Sequence, residues 1–368
     1  MAAGGAAVDW ASDKAIETAV ETVTARFDEL VGAAHFGWEA QPFNHVGRFA
    51  LAAREWWEAR DTCTAATVAT PRLQERHIAV MVPGLGSTSG KDSIDAVDTA
   101  ALGYATSDVI RYSYLGGTAA EHPYVATDTT ADIHQSARHL RELLERLEAE
   151  HPGVPIDIIA HSQGGIVART ALTDEVDGHD PRLPQVTSLV TLSTPHRGAP
   201  IATLATMAGH TDAGEDLEKL LHAGLPDKVD PAGTSVTQLA EESLFMMQLN
   251  SRPLPAGLNV TSIGAREDLM VPAGSTRLDG AHNVTVSAPG DLWDEHSAMP
   301  GAPETQREIA LGLAGMAPTC QSFGDFVGDA LVSDYIRLLE TGAGVAAWTA
   351  GRRADKALTP PTIPTRSH

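Results

Sequence analysis

Cysteine is scarce: Cys63 and Cys320 are the only two in 368 residues. Two thiols cannot make a disulfide scaffold or a cysteine-based zinc site. One bridge between them would tie the N-terminal segment to the C-terminal one; the simpler expectation is two separate buried thiols. Basic residues are also in deficit, 26 against 48 acidic, for a formal net charge of −22. Such a field repels phosphate backbones and anionic lipid surfaces, which argues against a nucleic-acid partner. No stretch of about 18 uncharged apolar residues occurs, so no transmembrane segment is expected. The opening MAAGGAAVDW has no basic region leading into an apolar core. No signal peptide is expected, which favours the cytoplasm, with secretion as the alternative.

What is present is enough apolar material for a sizeable core, 43% hydrophobic against 20% charged. Ile16, Val20, Val23, Phe27, Leu30 and Val31 fall on one helical stripe, with Ser12 or Asp13 placed to cap it. A second helix holds Phe49, Ala53, Trp56 and Trp57. Both faces are expected to pack on a neighbouring domain, with a protein partner for these N-terminal helices unknown.

From Arg76 onward short apolar runs alternate with helical patterns. Strands are expected at 77–82, 108–114, 155–160, 186–192, 260–264 and 283–287. Helices are expected over about 132–150, from near Gly164, and over 304–313. Continuous apolar strands of this kind predict an α/β fold, a mostly parallel sheet covered on both faces. An insertion of about 200–255 breaks the alternation and reads as a helical cap, with a helix-like stretch from Val236 to Leu249. The expected organisation is a helical extension over 1–70, a catalytic domain over 71–316, a helical segment over 317–352 with a helix from Phe323 to Leu339, and a Pro-rich disordered tail over 353–368.

The informative segment is Ile156-Asp157-Ile158-Ile159-Ala160-His161-Ser162-Gln163-Gly164-Gly165. An apolar strand runs into a sharp turn with serine at its centre, and a helix follows at once. Such a turn strains the serine backbone and lifts its hydroxyl clear of the sheet. Strand and helix cross closely there, so the positions two before and two after must be small, as Ala160 and Gly164 are. The helix amino end favours developing negative charge, making the Gln163 N–H a candidate oxyanion donor. Neighbouring side chains diverge on so tight a turn, so His161 is expected to be structural rather than a base.

This turn resembles the nucleophile elbow of α/β-hydrolase lipases and esterases, above all the small bacterial triacylglycerol lipases with an A-H-S-x-G turn. His77 to Thr88 is similar to their first core strand and oxyanion loop, with Pro83-Gly84 where a His-Gly pair is common. By position, the resemblance implies the Leu85 N–H as second oxyanion donor. Ser193-Thr194-Pro195-His196-Arg197-Gly198-Ala199-Pro200 is similar to a stretch in those lipases and in GPI inositol deacylase-like hydrolases. There the counterparts of His196 and Arg197 shape the pocket entrance. The resemblance covers about residues 76–313.

A serine hydroxyl needs a base, and the base an orienting carboxylate. In this family the order is Ser, acid, His, the last two on loops after late strands. Asp268, followed by Leu269-Met270-Val271-Pro272, resembles the family's acid turn; Glu267 is the rival, and an ion pair to Arg266 is the ordinary alternative for either. For the base, His296 lies after the last strand, whereas His282 precedes it and is expected at the surface. His134 and His139 are five apart on their helix and make no metal pair, so no metal or cofactor is implied.

The resemblance therefore implies a serine ester hydrolase with Ser162, Asp268 and His296 as triad and Leu85 and Gln163 as oxyanion donors. Leu204, Met207 and His196 are expected in the substrate pocket, and the substrate is a small ester or lipid with an apolar acyl chain. Acyl transfer or thioester hydrolysis by the same residues, or a non-catalytic binding module, are the alternatives.

Overall fold

Six apolar runs become six strands, and they pair in an order the chain does not follow. In the computed structural model, β1 (Ile78–Val82), β2 (Val109–Arg111), β3 (Ile156–His161), β4 (Val186–Leu192), β5 (Asn259–Ala265) and β6 (His282–Val286) form one sheet. Its order is β2-β1-β3-β4-β5-β6, and every pairing is parallel. The structure describes residues 56–57, 60, 62–90, 92–173, 183–208, 230, 233–241, 243–289 and 294–322. The expected helices over 12–31 and 323–339, most of the one around Trp56 and Trp57, and the Pro-rich tail lie outside those residues.

Parallel strands need crossovers, and helices supply them, with two further helices after the last strand. In chain order these are α1 (Thr99–Leu102), α2 (Ile133–Glu150), α3 (Gln163–Thr173), α4 (Pro200–Ala208), α5 (Thr234–Gln238), α6 (Leu244–Asn250), α7 (Ala273–Thr276), α8 (Glu295–Ala298) and α9 (Pro303–Leu313). The strands read as uninterrupted apolar runs because both faces are covered. Ile78, Val80, Val82, Ile156 and Ile158 pack with Leu140, Leu144 and Ile166 of α2 and α3. Ala79, Met81, Ile159 and Val190 face the other way, onto Ile309 and Leu313 of α9. Among the described residues no helix is long and apolar enough to cross a membrane.

Three local expectations change. The second strand ends at Arg111. The Tyr112 N–H still donates to the Met81 carbonyl of β1 at 3.0 Å, but the chain then turns back over 113–117 and bridges Tyr112 to Thr118. Two tyrosine hydroxyls are satisfied on other segments. Tyr112 donates to the Ser136 carbonyl at 2.7 Å and Tyr114 to the Pro83 carbonyl at 2.7 Å, both buried. The stretch from Val236 to Leu249 is two helices, because Ser243 caps the second by accepting from the Met246 N–H at 3.1 Å. The two cysteines are not separate thiols. Cys63 and Cys320, 257 positions apart, form a disulfide with Cα atoms at 4.9 Å. A short parallel bridge between Thr64 and Thr319 brings them together: the Thr64 N–H donates to the Pro318 carbonyl at 2.8 Å and the Cys320 N–H to the Thr64 carbonyl at 2.9 Å.

The order β2-β1-β3 fixes where a ligand can sit. From β1 the sheet grows in both directions, so the loops after β1 and β3 part and leave a crevice at the strands' carboxyl ends. Those loops are 83–87 and the turn at Ser162.

Candidate active site

Ser162 sits at the tip of β3 with φ of 54°, a left-handed backbone unusual for a residue with a side chain. The strain is held from β4. The Ser162 N–H donates to the Leu192 carbonyl at 2.8 Å, and Thr194 Oγ1 donates to the Ser162 carbonyl at 3.0 Å. Crowding around the turn accounts for its small residues. A Cβ on Gly164 would lie 2.3 Å from the Val82 carbonyl oxygen, and one on Gly165 would lie 2.1 Å from Thr194 Oγ1. One on Gly84 would meet Ser162 Cβ at 2.7 Å, so the loop after β1 passes directly over the serine. Parallel sheet, switch point and strained serine turn make this an α/β-hydrolase fold.

The loop after β1 is pinned at several places. Pro83 is held by Tyr114, the Gly86 N–H donates to Thr129 Oγ1 at 2.9 Å, and Ser87 Oγ lies 3.0 Å from the Tyr124 hydroxyl. Leu85, between them, lines the crevice. Gln163 opens α3; its side chain is buried and its Nε2 donates to the Thr129 carbonyl at 2.8 Å.

Asp268 and His296 come from the loops after β5 and β6 and meet. Asp268 Oδ2 lies 2.6 Å from His296 Nδ1, and Asp268 is fully buried. Its other oxygen, Oδ1, accepts the Met270 and Val271 N–H groups at 2.9 and 2.8 Å. The apolar residues after the aspartate thus orient the carboxylate through their backbone. Glu267 is exposed, and so is His282 at the start of β6. His161 is buried, and its Nε2 donates to the His296 carbonyl at 3.0 Å. A carbonyl only accepts, so that nitrogen carries the proton. Burial, with His296 beside it, lowers the His161 pKa to about 3, so the ring stays neutral. Glu295, next to His296, accepts from the Ala288 N–H at 3.1 Å, and burial raises its pKa.

Ser162 and His296 open onto one cavity of about 360 Å³. Its lining includes apolar Leu85, Ile201, Val236, Leu239 and Val271 and polar Ser87, Asp92, Ser93, Asp294 and Ser297. Helices α4 and α5 of the insertion supply part of the apolar lining. Arg169, buried in α3, ties the insertion down by donating to Asn250 Oδ1 at 2.7 Å and the Leu249 carbonyl at 3.0 Å. His196 is a correction: it is fully buried away from this cavity, its Nε2 2.9 Å from Thr191 Oγ1, and Arg197 pairs with Asp279. The side chains of Leu204 and Met207 lie outside the described residues. Sequence reasoning missed Thr194 and Thr129. The Ser-Thr-Pro-His stretch was a signal for the first; nothing marks the second. Among the described residues, no group of three or more His, Cys, Asp or Glu is placed to hold a metal ion.

A family model described as "Domain of unknown function (DUF7379)" matches residues 46–251, more than half the chain. The chain belongs to that family. The matched region contains Ser162 and ends before Asp268 and His296. No curated protein matches. Among solved structures the chain is similar to Bacillus licheniformis lipase BlEst2 in mature form, at 17% identity and a TM-score of 0.45, over 68% of this chain and 97% of that one. It is also similar to the metagenomic carboxyl esterase MGS0156, at 15% identity and 0.43, over 69% and 80%. A third is phospholipase PlaB from Legionella pneumophila, at 14% and 0.45, over 72% and 64%. These are weak likenesses of chain trace.

Proposed function

We propose that the chain is a serine ester hydrolase acting on carboxylic esters with an apolar acyl chain. One observation carries this: His296, paired at 2.6 Å with the buried Asp268, opens onto the same cavity as a serine held in a strained turn. In this reading Ser162 Oγ attacks the acyl carbonyl and His296 Nε2 takes its proton. Asp268 holds the ring so that Nδ1 keeps its hydrogen and the imidazolium is stabilised. The N–H groups of Leu85 and Gln163 receive the negative charge on the carbonyl oxygen. His296 returns the proton to the departing alcohol, leaving an acyl-serine; water, deprotonated by the same histidine, then releases the acid. In this reading the acyl chain packs on the apolar residues of the lining. The Cys63–Cys320 bridge fits an oxidising compartment better than the cytoplasm.

The test is labelling by a fluorophosphonate, which reacts only with an activated serine, alongside hydrolysis of p-nitrophenyl esters of graded chain length. Wild type is expected to label and hydrolyse, and Ser162→Ala to do neither. Equal labelling of both proteins would overturn the assignment.

A further inference from the structure

Three segments far apart in sequence meet on one buried threonine. Thr129 lies in the 3-10 turn Ala126–Thr130 and is fully buried. Its Oγ1 accepts the Gly86 N–H at 2.9 Å and donates its own proton to the Ala126 carbonyl at 2.6 Å. Its carbonyl oxygen accepts from Gln163 Nε2 at 2.8 Å and from Ser235 Oγ at 3.1 Å. Gly86 belongs to the loop after β1, Gln163 to the elbow, and Ser235 to α5 of the insertion.

We infer that Thr129 is the positioning residue that fixes the spacing between the two oxyanion donors. The inference rests on the site reading proposed above. Leu85 and Gln163 belong to loops that follow different strands, and β1–β3 pairing ends before either. An oxyanion pocket works only if both N–H groups point at one oxygen position, to within about 0.5 Å. Thr129 touches both sides of that gap. Through its hydroxyl it fixes the peptide following Leu85, where Gly86 adopts a φ of 77°. Through its carbonyl it fixes the first residue of α3.

The chemistry of each contact is one-way, which makes the linkage specific. A carbonyl cannot donate, so Gln163 must present its amide nitrogen to Thr129; its Oε1 is left buried without a partner. Giving up that acceptor's hydrogen bond is a cost, and fixing the elbow is the compensation visible here. The hydroxyl is held in turn by the Ala126 carbonyl, so its lone pair is aimed at Gly86 rather than free to rotate. A β-branched side chain adds rigidity at χ1. The Ser235 contact joins the insertion to the same carbonyl. Gln238, also on α5, reinforces it by accepting the Ile133 N–H at 2.8 Å and donating to Asp132 Oδ1 at 2.8 Å.

The experiment compares Thr129→Val, Thr129→Ser, Gln163→Met and Ser235→Ala with wild type. Each is assayed for kcat and KM on a p-nitrophenyl ester, for inhibition by a trifluoromethyl ketone of matching acyl chain, and for thermal stability. The ketone forms a tetrahedral oxyanion on the serine and so reports on the pocket directly. Thr129→Val is expected to lose about 10- to 100-fold in kcat and the same factor in ketone affinity, with KM nearly unchanged. Thr129→Ser restores the hydroxyl and most of both losses. Gln163→Met keeps its backbone N–H yet shows the same paired loss, which covers the case in which the valine variant does not fold. Ser235→Ala, which frees the insertion, raises KM and weakens ketone binding by one common factor, the pattern of lost uniform binding that Thr129→Val does not share. Wild-type kcat in both Thr129→Val and Gln163→Met, or a loss shared by Thr129→Ser and tracking thermal stability, would overturn the inference. Fluorophosphonate labelling of wild type separates the failures. If wild type labels, such a result removes only the role of Thr129; if wild type neither labels nor hydrolyses, the site reading falls and takes this inference with it.

Discussion

His161 Nε2 donates to the carbonyl oxygen of His296 at 3.0 Å, with the two rings 4.8 Å apart. The residue preceding the candidate nucleophile thus anchors the backbone of the candidate base. Because His161 takes up no proton until about pH 3, it adds no positive charge beside an imidazolium forming on His296. The same burial has a cost in acid. In the unfolded chain the ring protonates near its ordinary 6.5, in the folded chain only near 3. Through that window the unfolded state holds the extra proton, so stability falls as pH falls. Denaturant titrations between pH 7 and 4.5 are expected to show a slope that His161→Asn reduces by up to about 1.4 kcal/mol per pH unit. An unchanged slope would mean the ring is not held neutral.

The opposite dependence is expected at the other end of the sheet. His77 Nδ1 lies 2.7 Å from the buried Asp157 carboxylate, whose Oδ2 also accepts from the Tyr104 hydroxyl at 2.8 Å. The hydrogen bond to Asp157 raises the His77 pKa above 6.5. Its contribution is complete below that value and is lost as pH rises through the folded one. His77→Gln is expected to flatten the fall in melting temperature above neutrality while leaving the pH profile of ester hydrolysis in place, since His77 is remote from the cavity.

Asp268→Asn is expected to fold and to be nearly inactive. Oδ1 accepts two backbone N–H groups, so the asparagine carbonyl is drawn to that position and its NH2 is turned toward His296 Nδ1. His296 must then accept there and carry its proton on Nε2, the wrong tautomer for a base. A fall in kcat of about 10⁴ follows, with thermal stability lowered far less. Activity within tenfold of wild type would remove Asp268 from the mechanism.

Gly165→Ala and Thr194→Ala are expected to be strongly non-additive. The added methyl meets Thr194 Oγ1 at 2.1 Å and its Cγ2 at 2.6 Å, so the single variant loses about 1–3 kcal/mol by overpacking. Alanine at 194 removes the Oγ1 and Cγ2 clashes, leaving Cβ at 2.8 Å from the added methyl, while giving up the bond to the Ser162 carbonyl. The double variant is therefore expected to be more stable than the sum of the two losses predicts, which a double-mutant cycle from denaturant midpoints measures.

The sheet was legible because strands buried on both faces print as unbroken apolar runs, and their limits are close to those seen. Ser162, Asp268 and His296 could be proposed as a triad because each lies in a turn of restricted sequence after a strand, and the structure brings the last two to 2.6 Å. The failures share a cause. Tyr112 and Tyr114 read as strand residues because their rings are apolar, but the chain turns back over 113–117 and pairs Tyr112 with Thr118. His196 lies in a motif that fixes the backbone and says nothing of where its ring points. Two cysteines carry no record of being neighbours 257 positions apart. Thr129 is one of several threonines in Thr127-Asp128-Thr129-Thr130, and its partners come from three distant segments.

The join between residues 63 and 320 gives the polypeptide between them the topology of a closed loop. Its two ends lie side by side, 4.9 Å apart at Cα. A short peptide linker could therefore replace the sulfur cross-link, and fresh termini could be opened at a surface turn such as Gly153 without altering which strands adjoin. Such a permuted polypeptide would begin with β3 and reach β1 only after β6, yet the two strands would still pair side by side and leave the crevice between their loops. The placement of the serine loop depends on adjacency within the sheet and not on where translation starts.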